Sequence, residues 1–195
     1  MQDEVYILKI SILGDSNVGK TSILVRYIQD LFNVGIENTM NVNSLFKQIY
    51  LKDRIVKINF IDMPGKIRDF CALELFLRNI DGFVVVVDKM TGEGGWDSVD
   101  KWVELAEKFV RDESAGILMY NKCDEDPNRT EPVLDQTKLK GFKVSAKTGT
   151  GISTAFTSLI LDIIQSDSRA QRNSISLNRI QHLSLTTEKL GKKCC

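Results

Sequence analysis

Apolar and polar residues follow two different periods along the first 166 residues of this chain. Short apolar runs between polar segments predict β-strands, and apolar residues that recur every three or four positions predict helices. The predicted strands are 5–13, 44–51, 55–62, 83–87, 116–120 and 142–144, and the predicted helices are 21–29, 96–111 and 152–164. Strands 83–87 and 116–120 are apolar on both faces, which is typical of the buried centre of a parallel sheet.

The order of these elements predicts an α/β fold with three layers. Strands that alternate with helices form a mostly parallel sheet with helices on both faces. Segments 44–51 and 55–62 flank a polar turn, so we expect a hairpin that adds one antiparallel edge strand to a six-stranded sheet. After Ser166 the sequence becomes rich in Ser, Asn, Arg, Gln and Thr, which predicts one folded domain over 1–166 and a flexible tail over 167–195.

The composition is that of an ordinary globular protein, with 43% hydrophobic and 27% charged residues. The formal net charge is zero, but residues 167–195 contain six basic and two acidic residues, so the tail is +4 and the rest is −4. The acidic, polar N-terminal residues predict that no secretory signal is present, and Gln2 argues against N-myristoylation. No run approaches the ~20 apolar residues of a membrane-spanning helix, and we expect no nucleic-acid partner.

The pattern G-x-x-x-x-G-K-[ST] occurs at residues 14–21, between the first predicted strand and the first predicted helix. In that context the backbone N–H groups of the loop and the N-terminus of the helix bind phosphate oxygens. Lys20 would contact the β and γ phosphates, and the Thr21 hydroxyl would ligate Mg²⁺. A glycine-rich turn with a chance lysine is the alternative, and the strand–loop–helix context argues against it.

A second motif, Asn121-Lys122-Cys123-Asp124, directly follows a predicted buried strand. The Asp124 carboxylate could accept hydrogen bonds from both the ring N–H and the exocyclic amine of guanine, a donor pair that adenine lacks. Such sheets bind ligands at the carboxyl ends of their strands, where this motif lies. We therefore expect GTP as the ligand, while tighter binding of ATP would indicate a P-loop kinase or ATPase instead.

The cysteines are too few and too scattered to indicate a disulfide framework. Cys194 and Cys195 end the sequence directly after two lysines, where burial in a folded core cannot explain them. A double-cysteine end resembles a prenylation site, and two lipid chains beside a basic segment suffice for stable membrane anchoring. The single histidine, His182, lies in the tail, so we expect no histidine-based triad or zinc site in the domain.

On these motifs, residues 5–166 and the terminal cysteine pair resemble the Ras superfamily of small GTPases, most closely its Rab branch. This resemblance implies the P-loop NTPase fold and gives roles to further residues. Phe32 would pack against the guanine ring, although a core phenylalanine is the alternative, and Thr39 would ligate Mg²⁺ when γ-phosphate is present. Asp62 would hold Mg²⁺ through water, and the Gly65 N–H would contact γ-phosphate. The expected GTP-binding residues are Asn17, Val18, Gly19, Lys20, Thr21, Ser22, Phe32, Thr39, Gly65, Asn121, Lys122, Asp124, Ser145, Ala146 and Lys147. Among these, the Ala146 backbone N–H would lie near guanine O6.

Lys66 is the largest departure from the family pattern, because small GTPases usually place glutamine there to orient the attacking water. Lysine donates hydrogen bonds but accepts none, so it cannot hold a water by both a proton and a lone pair. We assign the catalytic position to Lys66 together with Lys20 and Gly65, and we expect slow intrinsic hydrolysis. The alternative is that Lys66 simply faces solvent because an activating protein supplies the catalytic groups.

Two further departures affect recognition rather than fold. The segment after Thr39 has Asn41 where Rab relatives usually have glycine and Ser44 where they have an aromatic residue, which argues against standard Rab effectors. Only twenty residues separate Asp124 from Ser145, fewer than is usual in the family, so we expect the helix in that segment to be shortened.

The resemblance implies a GTP/GDP switch that regulates vesicle traffic. Bound γ-phosphate and Mg²⁺ would order segments 33–43 and 65–77, and hydrolysis would release them. We expect a monomer that is anchored to the cytoplasmic side of an intracellular membrane by geranylgeranyl-type lipid on Cys194 and Cys195. The protein would cycle between this membrane and the cytosol. The expected partners are an exchange factor, an activating protein, escort or dissociation-inhibitor proteins and effectors. The alternative is a constitutively GTP-bound scaffold that hydrolyses poorly.

Overall fold

The computed structural model describes residues 4–35, 39–51, 54–66, 70–90, 97–109, 115–126 and 138–166. Its elements are β1 (Glu4–Leu13), α1 (Lys20–Gln29), β2 (Asn43–Leu51), β3 (Arg54–Asp62), α2 (Phe70–Leu77), β4 (Gly82–Asp88), α3 (Asp97–Phe109), β5 (Ala115–Asn121), β6 (Lys140–Lys143) and α4 (Ile152–Ser166). All six predicted strands and all three predicted helices are present, with ends within two residues of those expected. The helical positions expected at 96, 110 and 111, the shortened helix expected before Ser145 and the tail 167–195 lie outside the described residues.

The six strands form one sheet in the order β2-β3-β1-β4-β5-β6. Strand β2 pairs antiparallel with β3, and every other pairing is parallel. The predicted three-layer α/β fold, a mostly parallel sheet with one antiparallel edge strand, is therefore confirmed. Because β1, β3, β4 and β5 run in the same direction, their carboxyl ends meet at one edge of the sheet, where such folds bind ligands.

Apolar side chains cover both faces of the central strands. On one face, α1 and α4 pack on the sheet, and the Tyr27 ring stacks on Phe156 with a centroid distance of 4.3 Å, while Phe60 meets Phe156 at 5.1 Å. On the other face, α2 and α3 bury Leu77 and Trp102 among others. This double coverage explains why the sequences of β4 and β5 are apolar at nearly every position. No helix in the described part of the chain is both long and apolar enough to cross a membrane.

Helix α2 is the element that the sequence pattern did not predict. Seven of its eight residues are apolar, and Glu74 is the exception. A helix with no polar face gives no three-to-four-residue period, so its sequence cannot be told from an apolar strand or loop by periodicity.

The aromatic contacts of Phe156 give a test of the packing. Phe156 is fully buried on α4, so Phe156→Ala should lower the free energy of unfolding by about 3–5 kcal/mol through lost burial and the cavity left behind. Thr154→Ala, on an exposed position of the same helix, is the matched control and should change it by no more than about 0.5 kcal/mol. Denaturant unfolding measures both, and equal effects of the two changes would contradict this packing.

Candidate functional site

The loop between β1 and α1 wraps around the start of α1. Gly19 directly precedes the helix with φ of 94°, a left-handed conformation that glycine adopts without strain. A Cβ atom at Gly19 would lie 2.3 Å from Asn121 Nδ2, so only glycine lets the loop approach Asn121 this closely. Asn17 also has a positive φ, 65°, which asparagine tolerates better than most residues.

Lys20 is buried beneath this loop. Its Nζ donates hydrogen bonds to the backbone carbonyls of Gly14 at 2.8 Å and Asp15 at 2.7 Å. Burial lowers the pKa of Lys20 to about 8, and the charges of Asp62 and Asp15 oppose this shift. Within the described residues no carboxylate forms an ion pair with Lys20, so an anion that enters the loop would be its first direct counter-charge.

Three oxygen-bearing side chains meet beside Lys20. The hydroxyl oxygens of Thr21 and Thr39 lie 2.8 Å apart, and the Thr21 hydroxyl donates to Asp62 Oδ2 at 2.6 Å. Asp62 is fully buried, and burial raises the pKa of its carboxyl, while hydrogen bonds from the two threonines and the charge of Lys20 act against that shift. Its other oxygen, Oδ1, is buried with no hydrogen-bond partner in the described part of the chain.

This oxygen cluster fits Mg²⁺. Mg²⁺ prefers oxygen ligands and is usually held by one or two protein groups together with waters and substrate phosphates. Two hydroxyl groups and a buried carboxylate oxygen without a donor supply that chemistry, whereas the described residues contain no cluster of three or more His, Cys, Asp or Glu side chains able to hold a metal. Thr21 and Thr39 would hold the ion, with Asp62 behind them.

Gly65 lies against the same loop from the other side. A Cβ atom there would be 2.2 Å from the Ser16 backbone nitrogen and 2.5 Å from the Asp15 carbonyl carbon. The backbone after β3 can therefore touch the loop only because residue 65 lacks a side chain. Lys66 follows immediately, but its side chain is exposed and does not line the cleft described below.

Asn121 joins this loop to the loop after β6. Its side chain is buried, and its Nδ2 donates to the Val18 carbonyl at 2.8 Å. Its Oδ1 accepts the backbone N–H of Ala146 at 3.0 Å. The Ala146 N–H, which the sequence analysis expected near guanine O6, thus donates to Asn121 in this structure.

Asp124 stands at the other end of the Asn121 motif and is held by the loop after β6. Its Oδ1 accepts the Ser145 hydroxyl at 2.6 Å, and its Oδ2 lies 3.7 Å from Lys147 Nζ. Ser145 is fully buried. The serine hydroxyl uses one of the acceptor positions of the Asp124 carboxylate, and the others remain for a ligand.

All these loops surround one cleft of about 260 Å³. Of the fifteen residues expected to bind GTP, thirteen line it, and the other two, Val18 and Ser145, are buried behind it. Phe32 lines the cleft and also packs against the apolar core, so both interpretations of this residue describe part of its position. The residues that line the cleft but are not among these fifteen are Ser16, Asn33, Val34, Gly35 and Glu125.

Three side chains that no motif revealed hold these loops in place. Asp88 Oδ2 lies 2.6 Å from Lys122 Nζ, and the Trp102 indole N–H donates to Asp15 Oδ1 at 2.9 Å. Arg26 bonds to the loop after β6. A polar residue at the end of an apolar strand was the signal for Asp88, and a buried indole, which usually has a partner, was the signal for Trp102. Arg26 gave none, because its partners in the loop after β6 are backbone atoms.

Comparison with known proteins agrees with this geometry. A model of the Ras family matches residues 9–165. The Rab-3 protein of Caenorhabditis elegans is 30% identical over 161 residues, which cover 80% of this chain and 73% of that protein. Rab-3B of Mus musculus is 28% identical over 198 residues (97% and 90%), and RABE1d of Arabidopsis thaliana 25% over 201 residues (97% and 93%). The match to the family model shows that the chain belongs to the Ras family as a Rab-like small GTPase, and its identity of only 25–30% to these Rab proteins makes it a divergent member.

Proposed function

We propose that the cleft binds GTP and GDP together with Mg²⁺, and that the chain is a Rab-like molecular switch on membranes that regulates vesicle traffic. The observation that supports this most directly is that Lys20 and Asp124, which suit a phosphate and a guanine base, line the same cleft. Membership of the Ras family implies GTPase activity in general.

The base would be recognised at the Asp124 end of the cleft. Its carboxylate accepts the two donors on the edge of guanine, while adenine would leave it unpaired at a cost. The Ser145 hydroxyl and the Lys147 ammonium group would help to hold this carboxylate in place. Phe32 would cover a face of the base, and Lys122, held by Asp88, would extend along the cleft.

The phosphates would be bound at the Lys20 end. The backbone of residues 14–19 and the N-terminus of α1 offer N–H donors, and Lys20 offers its charge. A bound Mg²⁺ would supply positive charge that neutralises the phosphate oxygens. Thr21, Thr39 and Asp62 would hold it, the last through water.

Thr39 and Gly65 would form the switch. Both already touch the phosphate-binding machinery, Thr39 through the Thr21 hydroxyl and Gly65 through the Ser16 backbone. Contacts with γ-phosphate and its metal would strengthen both attachments and order segments 33–43 and 65–77, and hydrolysis would weaken them. These segments would be what effectors recognise.

Membrane association would come from residues 167–195, a hypervariable tail beyond the GTPase domain of residues 1–166. A geranylgeranyl-type lipid on Cys194 and Cys195 would anchor a monomer to the cytoplasmic side of an intracellular membrane. The protein would cycle between this membrane and the cytosol. Exchange factor, activating protein, escort or dissociation-inhibitor proteins and effectors would complete the cycle. The Rab names of the relatives support this part of the proposal.

Hydrolysis by the chain alone would be slow. The exposed ammonium group of Lys66 cannot accept a hydrogen bond from an attacking water, so an activating protein would have to supply that function. The alternative is a constitutively GTP-bound scaffold with the same fold. Analysis of the bound nucleotide separates the two, because GTP loaded on a switch decays to GDP and GTP on a scaffold does not.

Asp124→Asn should change the base preference of the chain. An amide cannot accept both guanine donors, so affinity for GTP should fall at least about 100-fold. Affinity for xanthosine triphosphate should rise, because the amide N–H can donate to the carbonyl that replaces the amine. Titration with fluorescent nucleotides measures both. Glu125→Gln removes the same charge from the neighbouring lining residue and should leave the GTP affinity unchanged. Equal GTP affinity of the parent chain and Asp124→Asn would refute this role.

Lys66→Gln should raise the rate of GTP hydrolysis. The intrinsic rate of this class is on the order of 10⁻⁴ s⁻¹, and we expect the parent chain to lie at or below it. Single-turnover hydrolysis of preloaded GTP measures the change, with Lys57→Gln, at an exposed position on β3, as a control of equal charge change. An unchanged rate in Lys66→Gln would show that the lysine does not limit hydrolysis.

A further inference from the structure

Arg26 links the helix that follows the phosphate loop to the loop that follows β6. It lies on α1, six residues after Lys20, and its Nε donates to the Ala146 carbonyl at 3.0 Å. One terminal nitrogen donates to the Lys147 carbonyl at 2.8 Å, and the other to the Asp30 carbonyl at 2.9 Å. The guanidinium group thus connects the end of α1 to a loop that lies 120 residues further along the sequence.

The rest of this loop is held by its own hydrogen bonds. The backbone N–H groups of Ser145 and Gly149 donate to the carbonyls of Thr150 and Ser145, and the Thr148 N–H donates to the Ser145 hydroxyl. These bonds close the two ends of the turn. Within the described residues, only Arg26 donates to the carbonyls of Ala146 and Lys147.

The direction of the Ala146 carbonyl also sets the direction of an N–H group. In a trans peptide, the carbonyl of one residue and the N–H of the next point in opposite directions, and the described chain has no cis peptide. Ala146 and Lys147 line the cleft, whereas Arg26 does not. With its carbonyl turned to Arg26, this peptide presents the Lys147 N–H on the opposite side, and no described residue accepts a hydrogen bond from it.

We propose that Arg26 is a positioning residue for base recognition: it holds the Ala146 and Lys147 carbonyls so that the Lys147 N–H is offered to the O6 atom of guanine. This proposal rests on the proposed binding of guanine nucleotides. Arginine suits the role because its planar group is always charged and donates in fixed directions, so it can hold two neighbouring carbonyls at once. Hydrogen bonds from a charged donor are also stronger than neutral ones.

A purely structural role for Arg26 makes a different prediction. Arg26 also contacts Asp30 at the end of α1, where a cation stabilises the last carbonyls of a helix. The Asp30 side chain is 93% exposed, so that ion pair contributes little. If Arg26 only stabilised the helix, its loss would weaken binding of every nucleotide to the same degree.

The test compares release of labelled GDP with release of its 6-thio analogue, which keeps both donors for Asp124 but offers sulfur, a weak acceptor, in place of O6. Arg26→Ala should speed GDP release about tenfold, as expected for loss of one good hydrogen bond, and should speed release of the 6-thio analogue less than threefold. Arg26→Lys, which keeps the charge and can reach one carbonyl, should give an intermediate rate. If Arg26→Ala does not fold, Arg26→Lys still tests the proposal by its release rates.

Asp30→Asn is the matched control. It removes the exposed ion pair of Arg26, leaves the bonds to Ala146 and Lys147, and should release GDP at the parent rate. If the Arg26 variants released GDP and the 6-thio analogue faster by the same factor, or released both at the parent rate, the proposed role of Arg26 would be overturned, while the proposed function would stand. If the parent chain bound no guanine nucleotide, the proposed function itself would fall, and this inference with it.

Discussion

The buried carboxamide of Asn121 is the contact on which the site depends. It joins the Val18 carbonyl of one loop to the Ala146 N–H of another, and the two loops are far apart in sequence. Replacing it would leave two buried backbone groups without partners, at about 1–3 kcal/mol each. The same amide explains why residue 19 must be glycine, since any Cβ there would collide with it. This side chain thus ties the loop before α1 directly to the loop after β6.

Burial gives the Lys20 end of the cleft its chemistry. It lowers the pKa of Lys20 to about 8 and raises the pKa of Asp62, because each charge is kept from water and neither is fully compensated. A phosphate beside Lys20 and a divalent cation beside Asp62 would relieve both penalties. Since Lys20 and Asp62 are already in place and already desolvated, these two side chains would reorganise little when a nucleotide binds.

The sequence predicted the sheet and the motif residues because both have local signatures: buried strands are apolar runs, and glycine is required where loops turn or touch. Helix α2 was not predicted, because seven of its eight residues are apolar and its sequence therefore shows no helical period of apolar and polar positions. Arg26 and Trp102 were missed for another reason. Their partners are a backbone carbonyl pair and an aspartate that lie near only in the folded chain. A sequence pattern can suggest that a buried indole has a partner, but it does not identify the partner.

We propose that one cleft joins a phosphate-binding end to an end that selects guanine. Titration of the nucleotide-stripped chain with GTP and with ATP, both in the presence of Mg²⁺, tests it most directly. We expect saturation by one GTP per chain and an affinity for ATP that is lower by about 10³-fold or more, because adenine leaves the Asp124 carboxylate unpaired. ATP binding as tight as or tighter than GTP binding would contradict it.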